Sequence, residues 1–167
     1  MVKIKLPYWE YRQYAYKRWG NGTPGAIRFR PKEDEPWLID TMICNLLREG
    51  VQQVLLSVDG NAPGLEVEWP YGDEGCSYQL LPKVGDKIVK LLQDEFRDHL
   101  HSDVRIMTEG DGMHRPKRLN EAIEYFCIEY GLDYLLYEDR FIKDWHRWRH
   151  DGRPMCLDDG GALDKEY

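Results

Sequence analysis

An α+β domain, a mostly antiparallel sheet of four to six strands with three or four packed helices, is predicted by three features of the sequence. Residues 36–49 carry Leu38, Met42 and Leu46 every four residues with Ile39, Ile43 and Leu47 beside them, which is the apolar stripe of a packed helix. Short runs with strand character follow at 51–58, 65–69 and 78–81, separated by turn residues, the pattern of an antiparallel meander. Pro82 and Pro116 then open two further stripes of helical period.

The long amphipathic segment is predicted to start at Pro36, behind the acids Asp34 and Glu35, because proline at the first helical position loses no needed N–H and carboxylates favour the positive helix end. Gly50 is expected to stop it as a left-handed cap. Asp59-Gly60-Asn61 reads as a turn. Leu65-Glu66-Val67-Glu68-Trp69 alternates three apolar residues inward with two glutamates outward. From Pro82, Val84, Ile88, Leu91, Leu92, Phe96 and Leu100 form one stripe, and 104–108 reads as a further strand. Leu119, Ala122, Ile123, Phe126, Cys127 and Tyr130 share a third helix with Gly131 as its stop, and Phe141, Trp145 and Trp148 mark a last helix over 138–150. Leu46, Leu55, Val67, Ile88, Phe96, Ile123 and Phe126 are the expected core.

The chain of 167 residues fits one domain over 1–155, with a flexible acidic tail at 156–167. With 42% hydrophobic and 32% charged residues, it excludes the disordered class. No run approaches the roughly 18 to 20 apolar residues that span a bilayer, and no apolar h-region follows the basic Met1-Val2-Lys3-Ile4-Lys5. A cytoplasmic location without membrane contact is the expectation. Cys44, Cys76, Cys127 and Cys156 form no C-x-x-C, so neither a zinc knuckle nor a disulfide framework is expected; no metal or cofactor is predicted.

Charge is unevenly placed. Residues 1–30 hold seven lysines and arginines against the single acid Glu10, a local charge of +6, which leaves −13 for the rest of a chain totalling −7. Residues 2–6 alternate apolar and basic side chains as a strand does. Residues 8–19 hold six aromatics in twelve positions without a winning period, so a helix and an extended arm both remain open. Beyond a glycine-rich loop, Ile27 and Phe29 alternate with Arg28 and Arg30, a strand with a basic face.

This basic, aromatic end is the most suggestive feature. Trp9, Tyr11, Arg12, Lys17, Arg18, Trp19, Arg28 and Arg30 are the candidate partner-binding residues. Aromatics and arginines suit a protein interface, and the same mixture stacks bases and tracks phosphates in binders of single-stranded nucleic acid. Against both stands the plain reading that the rings pack over the core with wet polar tips while the cations answer the acidic body.

The loop holding Glu109, Asp111 and His114 places two acids and a histidine within six residues, the groups of metal sites and acid–base pairs. Glycine-rich polar loops before a helix also arise simply to turn the chain. His146 and His150 lie four apart but enclose Arg147 and Arg149, cations that oppose a bound dication, with no general base between them. His99 and His101 are placed beside a helix end without a role. There is no phosphate loop, G-x-G-x-x-G, G-x-S-x-G elbow or calcium loop, and the reading leans away from an enzyme.

Leu47-Arg48-Glu49-Gly50-Val51-Gln52-Gln53-Val54-Leu55-Leu56 and Leu80-Leu81-Pro82-Lys83 leading to Ile88-Val89-Lys90-Leu91-Leu92 resemble the N-terminal domain of the type II secretion and type IV pilus assembly ATPases. The resemblance covers residues 39–92, about a third of the chain, in its order of helix, glycine, strand, hairpin and proline-led helix. The family's Ser-Asp-x-His strand is Gln52-Gln53-Val54-Leu55 here, its Arg-x-Asp-Gly turn is absent, and so is the ATPase domain. The resemblance implies a small α/β protein-contact module and transfers no catalytic residue.

The leading expectation is therefore a non-enzymatic interaction or adaptor module acting on a protein partner through its basic, aromatic N-terminal surface. Its alternatives are single-stranded nucleic-acid binding through residues 8–30 and a metal-assisted enzyme centred on Glu109, Asp111 and His114.

Overall fold

The computed structural model describes residues 1–55, 63–73, 76–110 and 112–151. The expected turn at 59–61, Asp111 and the acidic tail lie outside them. The order is β1 (Val2–Lys5), α1 (Trp9–Trp19), α2 (Ile39–Gly50), β2 (Val51–Val54), β3 (Gly64–Val67), β4 (Ser77–Leu80), α3 (Pro82–Glu109), α4 (Leu119–Tyr130) and α5 (Tyr134–Asp151). The class is α+β, but the described strands form two antiparallel pairs, not one sheet of four to six.

The meander is also corrected. β3 pairs with β1 in the register Val2↔Val67 and Ile4↔Leu65, while β2 pairs with β4 in the register Val51↔Leu80. All four residues of the first set are buried, so β3 joins the strand whose apolar face continues its own. Ile27 adds to the far edge of β3 as a single parallel bridge to Val67, exchanging backbone bonds with Glu66 and Glu68 at 2.9 Å each.

The helices depart from expectation at both ends of the prediction. α3 runs 28 residues and takes in 104–108, about 42 Å of helix at 1.5 Å per residue. The strand reading failed because Ile88, Leu92, Phe96, Leu100 and Val104 continue one buried stripe every four residues, with nothing between Leu100 and Val104 to stop the helix. α2 starts at Ile39, not Pro36. Residues of its first turn are bound to the incoming chain: Arg30 N–H donates to Asp40 Oδ1 at 3.0 Å and Lys32 N–H to Thr41 Oγ1 at 3.0 Å. α5 starts at Tyr134 and absorbs the short apolar run before 138. Gly131 caps α4 in the left-handed region (φ 66°), with Leu132 N–H donating to Cys127 O and Gly131 N–H to Ile128 O, a Schellman motif. Glu121 accepts from the Arg118 N–H at the other end. α1 settles the open alternative at 8–19 as a helix, with Tyr11, Tyr14 and Tyr16 buried.

One core unites these elements and includes Val67, Ile88, Phe96, Ile123 and Phe126. Leu46 only flanks it, because α2 buries the face of Ile43, Leu47 and Gly50. Leu55 is fully exposed, one residue past the last β2 pair, Val54↔Ser77. Gly50 has no positive φ among the described residues, so it is not the predicted left-handed cap. A Cβ there would lie 2.6 to 2.7 Å from the Val84 side chain, so glycine lets α2 approach α3.

Urea unfolding checks this packing. Phe126→Ala should destabilise by about 3 to 5 kcal/mol, while Leu55→Ala should stay within about 0.5 kcal/mol. Gly50→Ala, which gains about 0.4 to 1 kcal/mol where space allows, should instead cost about 1 to 3 kcal/mol through overpacking.

Candidate functional site

The alternation at 27–30 holds without a full strand: Ile27 and Phe29 are buried, Arg28 and Arg30 exposed. Phe29 meets the Trp19 ring at 5.1 Å between centroids. The Trp19 indole N–H donates to Asp40 Oδ2 at 3.0 Å, and Asp40 Oδ1 accepts the Arg30 N–H. One carboxylate thus fixes the end of α1, the 27–30 segment and the first turn of α2 together.

Above Phe29 opens a pocket of about 300 Å³. Its apolar lining comes from Phe29, Leu47, Val67, Trp69 and Tyr71, and its charged lining from Arg28, Arg30 and Glu68. Trp69 and Tyr71 meet edge to face at 5.2 Å. Arg48 donates to the Tyr71 hydroxyl at 2.7 Å with its guanidinium 5.2 Å from that ring. Arg28 and Arg30 also line an adjoining polar cleft of about 400 Å³ with Arg18, Trp19 and Asp40. The ion pairs of these arginines are loose: Arg18 to Glu95 and Arg28 to Glu68, each at 3.9 Å between partly exposed side chains, a class of pair that contributes little. The Arg30 side chain makes no ion pair among the described residues. Cys44 also lines the pocket. Burial, then the charge of Asp40, pushes its thiol up, so it is a small apolar wall and not a thiolate nucleophile.

Of the residues singled out in the sequence, Arg18, Trp19, Arg28 and Arg30 converge here. Trp9 and Arg12 sit together at the other end of α1, the guanidinium 5.5 Å from the indole centroid, and Lys17 is exposed. Tyr11 is buried in the core, with its ring against Phe96. Glu109 is exposed and paired with Arg105 at 3.0 Å, His114 is exposed, and Asp111 lies outside the described residues. Gly110 and Gly112 both take positive φ, 78° and 79°, so the loop's glycines serve a chain reversal. His146 and His150 are exposed on α5. Among the described residues, no three His, Cys, Asp or Glu side chains are grouped to hold a metal. Burial, aided by Asp133 and Glu124, pushes the Cys127 thiol up to about 12.

Sequence reasoning missed the two histidines of α3. His101 is buried, donates through Nε2 to Asp144 Oδ2 at 3.1 Å and stacks on Trp148 at 4.7 Å. His99 Nδ1 meets the Tyr14 hydroxyl, and burial raises the pKa of that phenol. Extending the stripe to Val104 would have placed both inside a helix. No helix among the described residues is long and apolar enough to cross a membrane. No protein-family model, curated protein or solved structure matches the chain.

The His101 hydrogen bond holds the Asp144 carboxyl below its ordinary value. A depressed carboxylate contributes stability above its unfolded pKa of about 3.9, and loses it as pH falls through the folded value. Asp144→Asn should therefore cost about 1 kcal/mol near pH 7, allowing for partial exposure. That difference should close below about pH 4, as read by urea unfolding at both pH values.

Proposed function

We propose that this protein is an interaction module whose protein partner inserts an apolar side chain, flanked by carboxylates, into the pocket above Phe29. The reading rests on the Arg28-Phe29-Arg30 alternation, which lines one pocket with a buried apolar ring and two exposed arginines. The pocket is of the size that takes a single anchor, and Trp, Tyr and Arg are the residues that carry interface energy. Arg48 is held over Tyr71, so part of the rim needs no ordering on binding.

A nucleic-acid reading of the same surface is less well supported. The Trp19 indole is engaged by Asp40 and Phe29, and Asp40 adds a negative charge to the cleft where phosphates would run. In the 109–114 loop Glu109 is paired with Arg105, which gives the metal-assisted reading less support than the pocket gives a protein partner.

Selection from a random peptide library on the immobilised chain tests the proposal. Enriched peptides should place an aromatic or aliphatic residue beside Asp or Glu. Arg28→Ala with Arg30→Ala should weaken them by at least about tenfold, with a shallower salt dependence. Peptides without acids, or equal binding to the double variant, would overturn the assignment. Tighter, salt-steep binding of single-stranded oligonucleotides that depends on Trp19 would transfer the surface to nucleic acid.

A further inference from the structure

A second arginine-lined cleft, of about 320 Å³, lies where α3 and α5 meet α1. On α5, Arg140, Lys143 and Arg147 recur at spacings of three and four, so they share one helix face. Arg97 comes from α3, and Tyr11 from α1 lines the same space.

One residue of the cleft, Arg140, is tied to a buried carboxylate. Arg140 Nη1 is paired with Glu10, and its Nη2 donates to the Tyr11 hydroxyl at 3.2 Å. Glu10 is itself 3% exposed and also accepts from the Tyr137 hydroxyl at 3.4 Å. A carboxylate is withdrawn from water only where such partners offset its desolvation, and here it fixes one guanidinium in place. Both acids that line the cleft are bonded: Asp139 to Lys143 of the same cleft at 2.6 Å, Asp144 to His101 at 3.1 Å. Arg97 and Arg147 lie near enough to Asp144 to act on it through their fields, yet neither makes an ion pair or hydrogen bond among the described residues. Two exposed, forked cations thus line the cleft without a bonded anion, and they also border an adjoining hollow with Asp94, Asp98, Asp144 and Asp151.

We propose that this cleft binds a phosphate group, free or as the monoester of a small molecule, through Arg97 and Arg147. A dianion with three strong acceptor oxygens matches two guanidinium forks. The site stands independently of the peptide pocket, which lies on other elements.

Calorimetric titration of the whole chain with inorganic phosphate, glycerol phosphate and sodium sulfate, at fixed ionic strength, tests it. Saturable binding of either phosphate below about 1 mM is expected, at least about tenfold weaker in Arg97→Gln with Arg147→Gln. Neither side chain makes a hydrogen bond or ion pair among the described residues, so the double variant should fold cooperatively with a melting temperature close to the parent's, which the same samples report. Arg28→Ala with Arg30→Ala should bind phosphate unchanged. The ester binding more tightly would assign a small-molecule ligand, and equal affinity would assign the free ion. No saturable binding, sulfate matching both phosphates, undiminished binding in the Arg97/Arg147 variant, or loss confined to the Arg28/Arg30 variant would each overturn the proposal.

Discussion

The ring of Phe96 is where the helices meet. It lies edge-on to Tyr11 at 5.2 Å, Tyr14 at 5.3 Å and Phe126 at 5.6 Å, and tilted against Phe141 at 5.8 Å. Three helices are thereby tied to the middle of α3 by one side chain, each aromatic pair adding about 0.5 to 1.5 kcal/mol beyond area burial. The consequence for the surface is direct. With Tyr11 and Tyr14 pinned to Phe96, α1 is core, and Trp19 at its end reaches a fixed position against Phe29 and Asp40. The rigid side of the pocket is inherited from a contact deep in the helical layer.

Legibility in the sequence followed how local each signal was. The Pro82 start, the Gly131 stop and the Arg28/Arg30 alternation are set within a few residues and appear in the fold, whereas the α2 helix appears with its buried face on Ile43 and Leu47 and Met42 left exposed. Strand partners are not local: alternation tells which face is buried but not which strand continues it, so β3 went to β1 unannounced. Gly50 looked like a cap, but its reason sits on α3 in Val84. In α1 the period was blurred because polar Glu10 and Gln13 are buried alongside the tyrosines. The candidate surface was half legible for the same reason. Arg18, Trp19, Arg28 and Arg30 were found by composition and do converge, whereas Tyr11 carried the same composition and went inside.

Charge asymmetry between the basic end and the acidic body resolves in an inverted way. Complementarity between the two would have the body's carboxylates clasp the exposed arginines of residues 1–30. Instead Glu95 and Glu68 stand at 3.9 Å from Arg18 and Arg28, and the closest pair joins the only acid of the basic end, Glu10, to Arg140 of the body. Burial explains the difference, since a desolvated carboxylate needs a bonded partner while a half-exposed one is served by water.

The two arginine-lined hollows therefore differ in what they can hold. Around Phe29 two exposed arginines share a lining with apolar rings and Glu68, which suits the proposed apolar side chain with carboxylates beside it. Around Tyr11 the hydroxyl and the Arg140 guanidinium are bonded to each other beside the rings of Phe96 and Phe141, and the unbonded donors are those of Arg97 and Arg147. The two basic linings thus offer different features: an apolar ring between exposed arginines in one, and guanidinium groups without a bonded anion in the other.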